Sequence, residues 1–164
     1  MCMEKMSHAD RAEELFRSGY NCAQAVLCAF EDVTGMDPET AARAASSFGA
    51  GMGMLREVCG TVSGALLALG LACGYSDPAD REGKKEQYRL VQEFAARFRE
   101  QNGSIICREL LQGAGVVPGK EPGERTKQYY AKRPCSELAR ESAAILDEIL
   151  EQIRAEGKMK EGSV

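Results

Sequence analysis

Residues 58–72 read VCGTVSGALLALGLA, and this stretch decides the fold. It is apolar on every side of a helix, which predicts a buried central helix rather than an amphipathic surface helix. Its small residues would let neighbouring helices approach closely; they are Gly60, Gly64, Ala65, Ala68 and Gly70. The stretch is too short to cross a bilayer, which takes roughly 18 apolar residues. We therefore expect a protein that is not inserted in a membrane.

Helical patterns occupy most of the chain on both sides of this stretch. Helices are predicted from Ser7 to about Ser18, Cys22 to about Val33, Asp37 to Phe48, Asp77 to about Gln101, Ser104 to Gln112 and Pro134 to about Ala155. No alternating run is long enough to predict a sheet. The expected fold is all-α: a compact single-domain bundle of about six helices around the Gly/Ala-rich central helix. We expect this domain to cover residues 1–164, with its core at about 7–156.

Charge and cysteine content narrow the classes of function. The formal net charge is −4 and the pI is about 5.2, which argues against nucleic-acid binding. The N-terminal residues 1–6 lack a signal-peptide pattern, which predicts a cytoplasmic location. In a reducing cytosol, seven cysteines indicate redox chemistry or metal binding rather than a disulfide framework.

Four of the cysteines share a position at or near the first turn of a predicted helix: Cys22, Cys59, Cys107 and Cys135. Unpaired N–H groups and the positive end of the helix dipole favour an anionic sulfur there. Such a thiolate is expected to have a lowered pKa and to be either reactive or a metal ligand. The alternative is that each is a buried small hydrophobe, which is how we interpret Cys28 and Cys73. Cys2 lies at the terminus and is assigned no role.

Five glycines are candidates for contact with a cofactor: Gly49, Gly51, Gly53, Gly60 and Gly64. The loop Gly49 to Gly53 could donate backbone N–H groups to a thiolate or to cluster sulfides. Alternatively, it is a tight connection between closely packed helices. A dinucleotide fingerprint is disfavoured because no predicted strand precedes the loop.

Three polar residues are expected to have no part in the chemistry. His8 is the only histidine, and its place near the N-terminus predicts a solvated side chain. Thr61 and Ser63 lie on the buried central helix, where their hydroxyls are expected to hydrogen-bond to backbone carbonyls.

At the cysteine motifs the sequence resembles the C_GCAxxG_C_C family of redox proteins, over about Ala12 to Leu146. The resemblance is carried by residues 19–26 (GYNCAQAV), by residues 48–71, and by the isolated Cys107 and Cys135. Family members carry Cys-Gly-Ala-x-x-Gly at the central motif, where this chain has Thr61 in place of the alanine. The resemblance implies a small, soluble, mostly helical prokaryotic protein defined by four cysteines. It also implies an iron–sulfur cluster as a candidate cofactor.

Three functions stay open on the sequence. The first, which we favour, is an electron-transfer protein whose four cysteines bind an iron–sulfur cluster and which serves a redox partner protein. The second is a thiol–disulfide redox protein, which needs paired cysteines with Cα atoms within about 7 Å. The third is a non-catalytic helical module with a structural zinc held by four thiolates. The absence of Cys-x-x-Cys means that the fold must assemble any four-sulfur site, within one chain or across a homodimer.

Overall fold

The computed structural model describes residues 5–159, and most of them are helical. The α-helices in this part of the chain are α1 (His8–Arg17), α2 (Cys22–Ala29), α3 (Glu31–Thr34), α4 (Pro38–Ala45), α5 (Gly60–Cys73), α6 (Arg81–Asn102), α7 (Cys107–Gly113), α8 (Lys127–Lys132) and α9 (Cys135–Ala155). A 3-10 helix, Ser46–Phe48, and a helical turn, Gly49–Met52, lie between α4 and α5. Among the described residues, the β pairing is limited to an isolated bridge between Val58 and Ile106. The all-α prediction is confirmed.

Helix α5 lies at the centre of the bundle, as its all-round apolar pattern predicts. It packs against α2, α9 and α6, and its buried residues include Val62, Ala65 and Leu69, whereas Leu71 is 46% exposed. Gly64 explains the close contact with α2: a Cβ at this position would lie 2.5 Å from the carbonyl oxygen of Ala23. The backbones of the two helices therefore touch where Gly64 stands. No helix within residues 5–159 has the length and apolar character of a membrane span.

The helix bounds differ from the prediction in several places: α6 begins at Arg81 instead of Asp77, α7 begins at Cys107 instead of Ser104, and the helix expected from Asp37 to Phe48 is divided into α4 and a 3-10 helix. Two further differences change the number of helices. The expected single helix from Cys22 to Val33 is wrong, because Phe30 leaves helical geometry (φ −104°, ψ 27°) and separates α2 from α3. Helix α8 was not predicted at all, because the glycine- and proline-rich residues before it carry no helical periodicity. Its N-terminus is capped by the Thr126 hydroxyl, which accepts a hydrogen bond from the Tyr129 N–H at 3.1 Å. With these differences, residues 5–159 contain more helices than the predicted number of about six.

His8 is not the solvated side chain that the sequence suggested. Its Nδ1 lies 2.7 Å from Asp147 Oδ1 on α9, and its Nε2 lies 2.8 Å from Asp32 Oδ1 on α3. The ring stacks on Phe30 with centroids 4.2 Å apart. The hydrogen bond to Asp147 raises the pKa of His8, burial opposes the rise, and Asp32 adds to it. The protonated ring donates to both carboxylates and ties α1 to two other helices.

We expect replacement of His8 by alanine to destabilise the protein in a pH-dependent manner. Because the folded pKa lies above the unfolded value of 6.5, the stabilisation is fully present below pH 6.5 and is lost as pH rises through the folded pKa. His8→Ala should lower the free energy of unfolding by about 2 kcal/mol at pH 6 and by less at pH 9. Urea unfolding at both pH values measures this. An equal loss of unfolding free energy at pH 6 and at pH 9 would show that His8 stabilises the protein through ring packing instead of through its charge.

Candidate functional site

All four predicted cysteines line one cavity with a volume of about 250 Å³. Cys22, Cys107 and Cys135 are the first residues of α2, α7 and α9, and Cys59 is the N-cap of α5. Their thiols are free, and three are buried while Cys135 is half-buried. Four segments that are distant in the sequence thus begin helices at one place. Cys28 lies elsewhere in the hydrophobic core, as predicted.

The isolated β bridge holds the segments of Cys59 and Cys107 side by side. The Cys59 N–H donates to the Ile105 carbonyl at 2.7 Å, and the Cys107 N–H donates to the Glu57 carbonyl at 2.6 Å. These backbone bonds fix both cysteines at the starts of α5 and α7. The bridge therefore places two of the four sulfurs on the same wall of the cavity.

The candidate glycines divide into cavity-lining and packing positions. Gly49, Gly53 and Gly60 line the cavity. A Cβ on Gly60 would overlap the Cys22 sulfur, so this glycine makes room for the thiol. Gly51 lies against Cys107, where an added Cβ would be 2.7 Å from the Cys107 Cβ. Gly64 faces the α2 backbone and is not part of the lining, so its role is helix packing instead of cofactor contact.

The glycine loop forms a turn of left-handed helix, which we call the left-handed turn (residues 49–54). Every residue from Ala50 to Met54 has positive φ, between 56° and 70°, and the Gly53 N–H donates to the Gly49 carbonyl at 2.8 Å. Residues other than glycine are strained by about 1 to 2 kcal/mol each in this conformation. Ala50, Met52 and Met54 bear this strain, as does Arg56 just after the turn (φ 59°). Backbone strain of this kind is found more often at functional sites than elsewhere.

Replacement of Met52 by glycine should therefore stabilise the protein. Met52 is exposed and has φ 68°, so glycine removes strain and little packing. We expect the free energy of unfolding to rise by about 1 kcal/mol. Gly53→Ala, at φ 58° with no close neighbour, should lower it by a similar amount. Urea unfolding of both variants tests this, and a loss of stability in Met52→Gly would contradict the strained conformation.

Two of the sulfurs lie beside groups that can donate a hydrogen bond. The backbone N–H of Ala50, in the left-handed turn, lowers the pKa of the Cys22 thiol, against the larger effect of burial. The Cys59 sulfur lies 3.1 Å from the Thr61 hydroxyl, which accepts a hydrogen bond from the Ser142 hydroxyl at 2.9 Å. The prediction that the Thr61 hydroxyl bonds to a backbone carbonyl is wrong, because its contacts are the Cys59 sulfur and the Ser142 hydroxyl. Its hydroxyl instead joins a cavity cysteine to α9.

The expectation of a lowered thiol pKa is also wrong for three of the four cysteines. Burial raises the pKa of Cys22 and places that of Cys59 far above its ordinary value of 9.0. Burial, and then the proximity of Cys22, raise the pKa of Cys135 to about 12. Desolvation therefore outweighs the helix dipole at these positions. At neutral pH these three sulfurs are protonated thiols when no metal is bound.

Three arginines line the same cavity: Arg56, Arg125 and Arg133. Arg56 Nη1 lies 3.8 Å from the Cys107 sulfur, and Arg56 Nε is buried with no hydrogen-bond partner. The Arg125 guanidinium stacks 4.5 Å from the Phe16 ring centroid and donates to the Tyr20 carbonyl. The sequence motifs gave no indication that Arg56 and Arg125 line the cavity. The only local feature that could have indicated either is that Arg56 lies three residues before Cys59 in the sequence.

The residues that line the cavity offer few types of metal-binding side chain. Among the described lining residues, cysteine is the only type of common metal ligand, with no histidine, aspartate or glutamate. Within residues 5–159, no three His, Cys, Asp or Glu side chains are arranged to hold one metal ion. The thiols surround a space instead of converging on a point.

One of three comparisons with known proteins found a match. The chain matches the family described as "Putative redox-active protein (C_GCAxxG_C_C)" over residues 20–149, a range that includes all four cavity cysteines. The comparison with curated proteins found no match, and neither did the comparison with solved structures. The match covers more than half of the chain, and the protein belongs to the C_GCAxxG_C_C family of redox-active proteins.

Proposed function

We propose that this redox-active protein transfers electrons through an iron–sulfur cluster bound in the cavity. Its ligands would be the four cavity cysteines: Cys22, Cys59, Cys107 and Cys135. The observation that carries the proposal is that these four thiols line one cavity of about 250 Å³ whose described lining offers no nitrogen or carboxylate ligand of the usual kinds. An all-cysteine ligand set is typical of iron–sulfur clusters.

The charges around the cavity support an anionic occupant. Guanidinium groups stay charged in proteins, and burying part of one without a compensating charge or hydrogen bond costs free energy. The Nε of Arg56 lacks a hydrogen-bond partner although it is buried. Thiolate-bound clusters are anionic, so the occupant would supply the negative charge that Arg56, Arg125 and Arg133 face.

The hydrogen-bond donors support the same occupant. The Ala50 N–H and the Thr61 hydroxyl lie against the Cys22 and Cys59 sulfurs. Hydrogen bonds to ligand sulfurs and exclusion of solvent are the means by which proteins tune cluster potentials.

A bound cluster would supply one-electron transfer. The chain itself would hold the sulfurs, keep water out and provide compensating positive charge. Binding requires the four thiols to release their protons, since only thiolates ligate metal. In the same proposal, a cytoplasmic protein partner gives or takes single electrons, and homodimer formation stays a prediction.

The two alternative functions have weaker support. Disulfide exchange needs an accessible thiolate, whereas burial raises the pKa of three of these thiols. A structural zinc needs four sulfurs around one ion at about 2.3 Å each, and the described side chains do not form such a group. A multi-atom centre fits thiols spread around a cavity better.

Strictly anaerobic purification and reconstitution with ferrous iron and sulfide tests the proposal. We expect a brown protein whose iron and sulfide are present in similar amounts and whose visible absorption bleaches on reduction. Zinc retained under both reducing and oxidising conditions, with no visible absorption, would support the structural zinc site. A metal-free protein whose thiols oxidise reversibly would support disulfide chemistry and overturn the cluster.

A further inference from the structure

We propose that Thr61 and Ser142 form a positioning pair for the Cys59 sulfur. The Ser142 hydroxyl orients the Thr61 hydroxyl, which donates a hydrogen bond to the sulfur and raises the reduction potential of the centre. The effect on potential rests on the proposed function, whereas the hydrogen bond to Cys59 does not. Neither hydroxyl was assigned to the site by the sequence motifs.

Metal ligation at Cys59 would give the chain of hydroxyls a direction. Ser142 donates to Thr61 Oγ1 at 2.9 Å, which occupies one acceptor position of Thr61 and leaves its own proton free. The Cys59 sulfur lies 3.1 Å from the same oxygen. A thiolate that ligates metal has no proton and can only accept. Thr61 must then be the donor, and the chain runs from Ser142 through Thr61 to Cys59.

Burial makes these contacts persistent. Thr61 and Ser142 are both completely inaccessible to solvent, and Cys59 is only 6% exposed. No water competes for the hydroxyls, and a buried hydroxyl without a partner costs about 1 to 3 kcal/mol. Hydrogen bonds in such a chain also polarise one another in a low-dielectric interior. The pair therefore holds the sulfur in one orientation.

The pair joins two helices that each begin with a cavity cysteine. Thr61 lies in the first turn of α5, two residues after Cys59, and Ser142 lies on α9, which begins at Cys135. A hydrogen bond to a ligand sulfur stabilises the more negative, reduced state of a centre, which raises its potential. Loss of the Thr61 hydroxyl should therefore make reduction harder.

The first test uses the reduced, metal-free protein. The infrared S–H stretching band of Cys59 is assigned by its loss in Cys59→Ala. We expect Thr61→Val, which keeps the shape and removes the hydroxyl, to shift this band, and Thr61→Ser to leave it near the wild-type frequency. Ser142→Ala should shift it by a smaller amount. A band at the same frequency in wild type and Thr61→Val would overturn the hydrogen bond. If Thr61→Val does not fold, Thr61→Ala serves in its place, since the family carries alanine there.

The second test is the midpoint potential of the iron-loaded protein. We expect Thr61→Val to lower the equilibrium constant for reduction about tenfold. For a one-electron centre this lowers the midpoint potential by about 59 mV. Thr61→Ser should retain the wild-type potential, and Ser63→Ala on the same helix is the matched control. An unchanged potential in Thr61→Val would overturn the tuning role. Failure of the proposed function would appear separately, as wild-type protein that binds no iron, and the S–H band would still decide the contact to Cys59.

Discussion

Gly64→Ala is expected to lower the free energy of unfolding by about 3 kcal/mol, the upper part of the range for overpacking a rigid contact. The new Cβ would lie 2.5 Å from the Ala23 carbonyl oxygen and 3.2 Å from the Ala23 Cα. Both atoms belong to the α2 backbone, so no side-chain rotation can make room. Helices α2 and α5 would have to separate, and Cys22 at the start of α2 would move with them.

Gly70→Ala is the matched control on the same helix. The nearest atom to a Cβ at Gly70 is the flexible Gln87 Nε2, at 4.0 Å. Alanine is better than glycine in a helix interior, so this variant should gain about 0.5 to 1 kcal/mol. Urea denaturation of the two variants measures the difference. Equal stabilities would show that α2 and α5 do not touch at Gly64.

The second large effect is expected from loss of any cavity cysteine. In the proposed cluster, replacement of one of the four by alanine would leave one iron without its thiolate, and water could then enter the site. We expect the iron retained per chain after desalting to fall at least tenfold in each of Cys22→Ala, Cys59→Ala, Cys107→Ala and Cys135→Ala. Iron and sulfide assays on anaerobically reconstituted protein give the result.

Cys28→Ala is the control for that series. Cys28 is as buried as the cavity cysteines but packs in the core away from the cavity, with its sulfur 3.9 Å from the Pro38 carbonyl. It should keep wild-type iron content even where its stability is reduced. Loss of iron in Cys28→Ala to the same extent as in the cavity variants would mean that iron content follows stability instead of ligation.

The parts of the structure that depend on local sequence were predicted well. The all-round apolar pattern of residues 58–72 predicted the buried α5, and Asn21 caps α2 through a hydrogen bond from the Gln24 N–H. The starts of helices at the four cysteines are likewise local features. Small residues on α5 correctly indicated close helix contacts, although the sequence could not tell that Gly64 meets α2 while Gly70 is open.

The parts that depend on distant contacts were not predictable. The lowered thiol pKa was inferred from the helix dipole alone, whereas desolvation arises from everything packed around Cys22 and Cys59. The approach of Ser142 to Thr61 joins residues 81 positions apart. Ala50 adopts a left-handed conformation against its intrinsic preference, so residue propensities could not predict this turn.

X-ray absorption at the iron edge of the anaerobically reconstituted protein would show most directly whether the four cavity cysteines hold an iron–sulfur cluster. We expect a first coordination shell made only of sulfur, with a second iron as the next scatterer, and loss of this signal in Cys59→Ala. Iron coordinated by nitrogen or oxygen, or isolated iron with no iron neighbour, would contradict an iron–sulfur cluster held by the four cavity cysteines.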